Sequence, residues 1–301
     1  MSTVIRFSPG LSTWILHNLQ QGCDPMALIQ QMQAQQMTTP VASAIVAAFV
    51  DAYRSGRPVP IDQIEFDEQA PAYVVEKPIL RPGTSFQTTD RLMRIAARAE
   101  RPMLAVLEGV LSADECDELI ALAKPRLTRS TFVDPQTGMN VVSGQRSSFG
   151  MFFRLQENDF IARLDRRISE VMNLPLENGE GLQILFYPTG AQSAPHFDFL
   201  VPSNVANRDS LARSGQRVST MVTYLNNVAS GGETIFPEVG YRVSPLRGNA
   251  VYFEYCNSLQ QLDHASLHAS SIVESGEKWV ATKWMRQRRF ISADEAGRAS
   301  M

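Results

Sequence analysis

Histidine and cysteine are scarce in this chain. Its 301 residues hold four histidines, His17, His196, His264 and His268, and three cysteines, Cys23, Cys116 and Cys256. Three widely spaced cysteines without a CxxC pair argue against a disulfide framework, and a reducing compartment, the cytoplasm, is expected. Long apolar runs are also missing. The longest, Val41 to Val50, is broken by Ser43 and falls short of the ~20 residues a membrane helix needs, so no membrane partner is expected. Met1 to Arg6 lacks a basic start leading into an apolar core, so no signal peptide is expected. There is no excess of charge of one sign either. A net charge of −3 gives no basic field for nucleic acid, and none is expected as a partner. What remains is ordinary globular material, 44% hydrophobic and 20% charged, long enough for one large domain or two.

With so few histidines, the place of each one is informative. Pro195-His196-Phe197-Asp198-Phe199 puts an imidazole and a carboxylate two residues apart in an extended run. On a strand, residues i and i+2 share a face, so both can reach one metal while Phe197 and Phe199 pack on the other side. Two imidazoles and one hard carboxylate suit Fe(II), and three ligands on one face of an octahedron leave positions for a co-substrate and dioxygen. The third ligand must come from elsewhere. His268, in the apolar-flanked Leu267-His268-Ala269, is preferred over His264, which follows Asp263 in a polar turn. His17 lies in a helix-like segment. Lys278 begins the strand-like run Trp279 to Trp284. After a turn at Glu274 to Gly276 that strand would lie beside the His268 strand. Lys278 would then either anchor an anion or stand in water at a strand end.

Taken in order, residues 8 to 56 read as helical. An early helix covers Leu11 to Gln20. Asp24-Pro25 and Thr39-Pro40 then open two more, each an N-cap followed by proline, and the last is closed by Gly56. Together with the following segment they form an N-terminal helical region over residues 1–75, expected to brace the catalytic domain or a homodimer, with a substrate-docking module as the alternative. Residues 57–83 are rich in proline and acids and read as a linker. Thr89-Asp90-Arg91-Leu92 caps a short helix through Ala99, so residues 76–101 read as linker plus short helix. Met103 to Leu107 reads as a strand, Ser112 with Glu115 as a capping box, and Asp159 to Asn173 as an amphipathic helix. Ser203 to Gln216 is a polar loop without periodicity. Ser219 to Leu225, Asn249 to Glu254 and Trp279 to Met285 are strands, and Gly231-Gly232 is a turn that needs positive φ. Arg286 to Arg289 is basic, and residues 291–301 read as a frayed tail. Short strands between Gly/Pro turns indicate an α+β chain whose core is a double-stranded β-helix, a jelly roll.

Six segments, in order, resemble the prolyl 4-hydroxylase branch of the Fe(II)/2-oxoglutarate dioxygenases. They are Gln183 to Tyr187, Pro195 to Asp198, Gly231 to Pro237, Gly248 to Phe253, Ser266 to Ala269, and Gly276 through Trp284. The resemblance implies a catalytic domain at residues 102–290, with its core at 180–288. It further implies that His196, Asp198 and His268 bind Fe(II), and that Lys278 and Tyr187 hold the distal carboxylate of 2-oxoglutarate with Thr234 nearby. Dioxygen would be the second co-substrate and ascorbate the reductant. Arg146 and Ser148 would touch a peptide substrate, with Arg217 and Arg286 at its mouth. The implied activity is hydroxylation of proline at the 4-position in a peptide or protein, with succinate and carbon dioxide as co-products. Two positions depart from the family pattern. Ser193 stands where many peptide hydroxylases have an aromatic residue, and Arg286 where they commonly have histidine. An aromatic contact is worth ~1 kcal/mol, so its loss weakens a polyproline-like peptide without excluding proline. The three arginines leave an acidic peptide or a small carboxylate-bearing molecule open as substrate. A hydroxylase of a free amino acid or other small molecule, and a binding module with the fold alone, are the competing readings.

Overall fold

Proline and side-chain caps start the N-terminal helices where the sequence places them. In the computed structural model, which describes residues 2–55, 58–67, 73–129, 131–133, 140–142, 148–202 and 204–299, the chain divides into two units, Met1–Ala72 and Tyr73–Met301. The first unit holds β1 (Ser2–Arg6), α1 (Pro9–Gln20), α2 (Pro25–Ala34), α3 (Thr39–Ser55) and β2 (Gln63–Asp67). Ser8 caps α1, its hydroxyl accepting from the Leu11 amide. Ile15, Leu28, Ile45 and Phe49 bury fully between the helices. Complete burial of such side chains is worth about 1.5–3 kcal/mol each, more than a cap. β2 pairs antiparallel with β1, so the stretch read as linker is in part a strand. Gly56, expected to close α3, lies outside the described residues.

The second unit opens with β3 (Ser85–Gln87), β4 (Leu92–Ala99), β5 (Leu104–Glu108), α4 (Ala113–Ala123), β6 (Thr128–Arg129), β7 (Thr131–Val133), β8 (Asn140–Val142), β9 (Phe149–Phe153) and α5 (Asp159–Met172). It continues with β10 (Leu182–Tyr187), β11 (Ser193–His196), α6 (Val205–Ser214), β12 (Arg217–Tyr224), β13 (Ser230–Gly231), β14 (Thr234–Phe236), β15 (Tyr241–Val243) and β16 (Ala250–Glu254). β17 (His268–Ser270), β18 (Val273–Ser275), β19 (Lys278–Arg286) and α7 (Ala293–Ala299) complete it. Nine strands form one sheet in the order β3-β4-β5-β16-β12-β19-β10-β9-β6, and β11-β17-β14-β15 form a second. All their pairings are antiparallel. One pocket is lined from both sheets, which is the jelly-roll arrangement the turn pattern indicated. The outer face of the large sheet is covered by α5, whose Ile161, Leu164, Ile168 and Val171 are buried.

Three expectations fail. The segment read as a helix through Ala99 is strand β4, paired to β3 and β5. Its Leu, Ala and Arg content favours a helix, but the ladder partners on both sides override propensity. The polar loop after the iron motif contains α6, capped by Asn204. Residues 293–299 form α7 rather than a frayed end. Among the described residues, no helix is long and apolar enough to cross a membrane.

Candidate active site

The small sheet positions the histidines. His196 ends β11 and His268 begins β17, and the two are direct cross-strand partners with ring centroids 4.4 Å apart. Asp198 does not share the strand with His196, as its spacing had suggested. It follows in a bend that returns the carboxylate to the histidines. Nε2 of His196 lies 3.7 Å from Asp198 Oδ1, and Nε2 of His268 lies 3.5 Å from Oδ2. One ligand-type atom from each residue falls within 4.8 Å of the others. Phe197 and Phe199 stack on each other at 4.6 Å, as expected. His264 sits edge-on to both rings and is not part of the cluster. His17 lies on α1 in the other unit.

Each ring also has its tautomer set. His196 Nδ1 is 2.9 Å from the Ala194 carbonyl and His268 Nδ1 is 3.1 Å from the Ser266 carbonyl. A carbonyl only accepts, so both Nδ1 atoms carry the proton and both Nε2 lone pairs face the cluster. Burial pushes the Asp198 carboxyl up; His268 and His196 pull it down when they are charged, and with both rings neutral the Arg217 guanidinium and a hydrogen bond from Thr220 still favour the ionised form. Two imidazole lone pairs and one ionised carboxylate on a common point are the donor set of a non-haem Fe(II) site, and the residues fit that ion.

The other end of the pocket is built for an anion. Lys278, the first residue of β19, is 2% exposed, and its Nζ donates to Ser270 Oγ at 2.7 Å. Burial pulls its pKa down to about 7, against a smaller upward pull from Glu233. Among the described residues no carboxylate lies within ion-pairing distance of it. Tyr187 is its cross-strand partner, with Nζ 5.4 Å from the ring centre. Thr234 accepts from the buried Tyr224 hydroxyl at 2.8 Å and lines the same pocket. Gly231 and Gly232 both have positive φ, and a Cβ on Gly231 would run into the Ile272 carbonyl, so the predicted turn needs glycine there. Larger spaces of about 820 and 1010 Å³ occur elsewhere in this unit, against about 50 Å³ here. Chemistry rather than volume identifies the site.

The expected substrate contacts fare differently. Arg217 makes a two-pronged pair with Glu180 at 2.6 and 2.8 Å, stacks at 4.0 Å over the Trp284 ring, and donates to the Asp198 carbonyl at 3.2 Å. Arg286 is only 1% exposed and donates to Glu180 at 3.1 Å and to the Ser210 carbonyl at 2.8 Å. Arg286 was expected at the substrate mouth in a solvated basic run. The structure instead buries it and ties both guanidiniums to Glu180. Ser148 is fully buried, and Arg146 lies outside the described residues. Sequence reasoning passed over Glu180, Thr220, Tyr255, Ser270 and Trp284. Alternation would have found two of them, because Ser270 is His268 plus two and Trp284 is Lys278 plus six, each on the inward face of its strand.

The sequence profile described as the 2OG-Fe(II) oxygenase superfamily matches residues 182–286. Prolyl 4-hydroxylase 1 of Arabidopsis thaliana is 41% identical over 202 residues, 62% of this chain and 70% of the relative. Probable prolyl 4-hydroxylase 6 of the same organism is 36% identical over 226 residues, 69% of this chain and 77% of the relative. Among solved structures, a viral collagen prolyl hydroxylase from Paramecium Bursaria Chlorella virus-1, in its 2OG complex, is similar at 26% identity. That match covers 61% of this chain and 95% of the other, with a TM-score of 0.48.

Proposed function

The chain belongs to the prolyl 4-hydroxylase family of 2OG-Fe(II) oxygenases, and we propose that it hydroxylates proline at the 4-position within a peptide or protein. Fe(II) with 2-oxoglutarate and dioxygen supplies the oxidative chemistry, giving succinate and carbon dioxide as one oxygen atom enters the C–H bond. Everything else falls to the side chains. His196, Asp198 and His268 hold the metal. Lys278, with Ser270, Thr234 and Tyr187 around it, takes the distal carboxylate of 2-oxoglutarate. Val222, Val280 and Leu185 line the pocket between the two ends and keep water from the reacting centre. Trp284 lines the pocket and packs on its far side against the half-exposed Phe152, their rings 6.4 Å apart. Arg217 and Arg286 act through Glu180, shaping the wall beside Trp284 rather than standing free for a carboxylate.

The observation that carries this reading is a buried lysine that meets no carboxylate among the described residues, at one end of a pocket whose other end joins two imidazole lone pairs and a carboxylate. Ascorbate, which keeps iron as Fe(II), and a cytoplasmic location belong to the same reading; the free thiols of Cys23, Cys116 and Cys256 support the latter. A free amino acid or other small molecule is the second reading. It is favoured by Ser193, which lines the pocket with a small side chain that is 3% exposed.

The test uses the enzyme with Fe(II), 2-oxoglutarate, ascorbate and a lysate lacking the native gene, with His196→Ala as control. Mass spectrometry follows a one-oxygen gain in the peptide and small-molecule fractions. A gain on a proline within a protein is expected. A gain confined to small molecules would replace the first reading with the second.

A further inference from the structure

Asp198 is held at two points that the metal does not use, and one of them is itself backed by a tyrosine. Thr220, on β12 and fully buried, donates its hydroxyl to Asp198 Oδ2 at 2.7 Å. The Tyr255 hydroxyl lies 3.0 Å from the same Thr220 oxygen. Arg217 donates to the Asp198 backbone carbonyl at 3.2 Å. The direction of the first two bonds follows from proton counting. A metal-binding carboxylate is ionised and only accepts, and a hydroxyl has one proton. Thr220 therefore gives its proton to Asp198, and Tyr255 must give its own to Thr220. Burial, with the Asp198 charge nearby, pushes the Tyr255 phenol well above its usual range, so that proton stays in place. Bonds arranged in this way polarise one another in the same sense.

We propose that the Tyr255–Thr220 arm reserves Oδ2 of Asp198, so that the carboxylate offers a metal one oxygen, Oδ1, and cannot swing to use both. A second carboxylate oxygen on the metal would take a position that the co-substrate or dioxygen needs. Thr220 and Tyr255 are positioning residues. Both act through Asp198, Thr220 directly and Tyr255 by way of Thr220. The inference rests on the iron-site reading of the pocket.

The experiment uses the full chain with Co(II) alone as probe, under anaerobic conditions and then with 2-oxoglutarate. The variants are Thr220→Val, which keeps shape and removes the proton, Thr220→Ser, which restores it, and Tyr255→Phe. The readouts are the Co(II) dissociation constant, the visible Co(II) absorption and a thermal melt. Thr220→Val is expected to change the Co(II) spectrum and to shift affinity by about tenfold or more, as outer contacts of metal ligands do. Thr220→Ser should return both to the wild-type values. Tyr255→Phe should move the spectrum the same way by a smaller amount. Under turnover, Thr220→Val should lower kcat with little change in the KM for 2-oxoglutarate. A folded Thr220→Val protein with the wild-type spectrum and affinity overturns the proposal. If that variant does not fold, an unchanged spectrum in Tyr255→Phe overturns it equally. A wild type that binds Co(II) no better than His196→Ala would instead overturn the iron-site reading, and this proposal with it.

Discussion

Strand β19 carries two buried lysines on opposite faces, and they are treated differently. Lys283 points outward, beneath α5, is 1% exposed, and meets Asp165 at 2.8 Å. Lys278 points inward, is 2% exposed, and donates to the hydroxyl of Ser270 between the Tyr187 and Tyr224 rings. Burial lowers the pKa of both, but for Lys283 the charge of Asp165 opposes the shift directly, whereas Lys278 falls to about 7. A buried charge is costly unless paired. The outer lysine is paired within the fold. Among the described residues the inner one meets no carboxylate, and on the proposed function a dicarboxylate co-substrate would supply it.

The largest effect that can sharpen this contrast is on stability at the outer face. Lys283→Met leaves Asp165 buried without a counter-charge and should cost about 3–5 kcal/mol, read by denaturant melts. The 2-oxoglutarate KM of whatever protein remains folded should stay near that of wild type. Next comes the inner face, where the signs reverse. Lys278→Met should weaken 2-oxoglutarate binding by about 2–5 kcal/mol, measured as Kd or KM. It should also raise the melting temperature of the co-substrate-free protein, by about 2–4 °C for each kcal/mol of burial cost removed. Because the folded pKa of Lys278 lies near 7, below its unfolded value, the unfolded chain binds the extra proton between the two. Wild-type stability should therefore gain from this residue as pH rises from 7 toward 10, and Lys278→Met should lack that gain.

Binding should depend on pH in the opposite sense. A bound dianion raises the pKa of Lys278, so binding takes up a proton above pH 7. Affinity should be highest below pH 7 and fall as pH rises, approaching about tenfold per unit. A titration series across pH checks this, and Lys278→Met should flatten it. The smallest change tests the wall beside the site. Arg217→Lys keeps charge but loses the two-pronged pair with Glu180 and the stack on Trp284, and should cost about 1–2 kcal/mol in thermal or chemical melts.

The same contrast explains what could be read from the sequence. The cluster that could hold a metal was legible because histidine is rare here and His196, Asp198 and His268 sit in distinctive local company. Lys278 could be located but not interpreted from spacing alone, because alternation along β19 shows that it faces away from Lys283 without showing which of them meets a carboxylate. Asp165 lies on a helix far away in sequence, and nothing near Lys283 announces it. Glu180 in Gly179-Glu180-Gly181 looks like a turn residue, yet two arginines from β12 and β19 converge on it. That convergence is purely tertiary. Strand β4 was hidden by helix-forming residues. Helix α6 was hidden by its polarity, since its C-terminal carbonyls are held by Arg286 and Arg288 rather than by an apolar stripe.

The measurement that bears most directly on the account is calorimetric titration of 2-oxoglutarate into wild type, Lys278→Met and Lys283→Met, each loaded with Mn(II) in place of Fe(II). Wild type and folded Lys283→Met should bind with similar affinity, and Lys278→Met should bind at least about thirtyfold more weakly. Equal binding by wild type and Lys278→Met would show that the inner lysine is not the anchor of the co-substrate and would contradict the account at its centre.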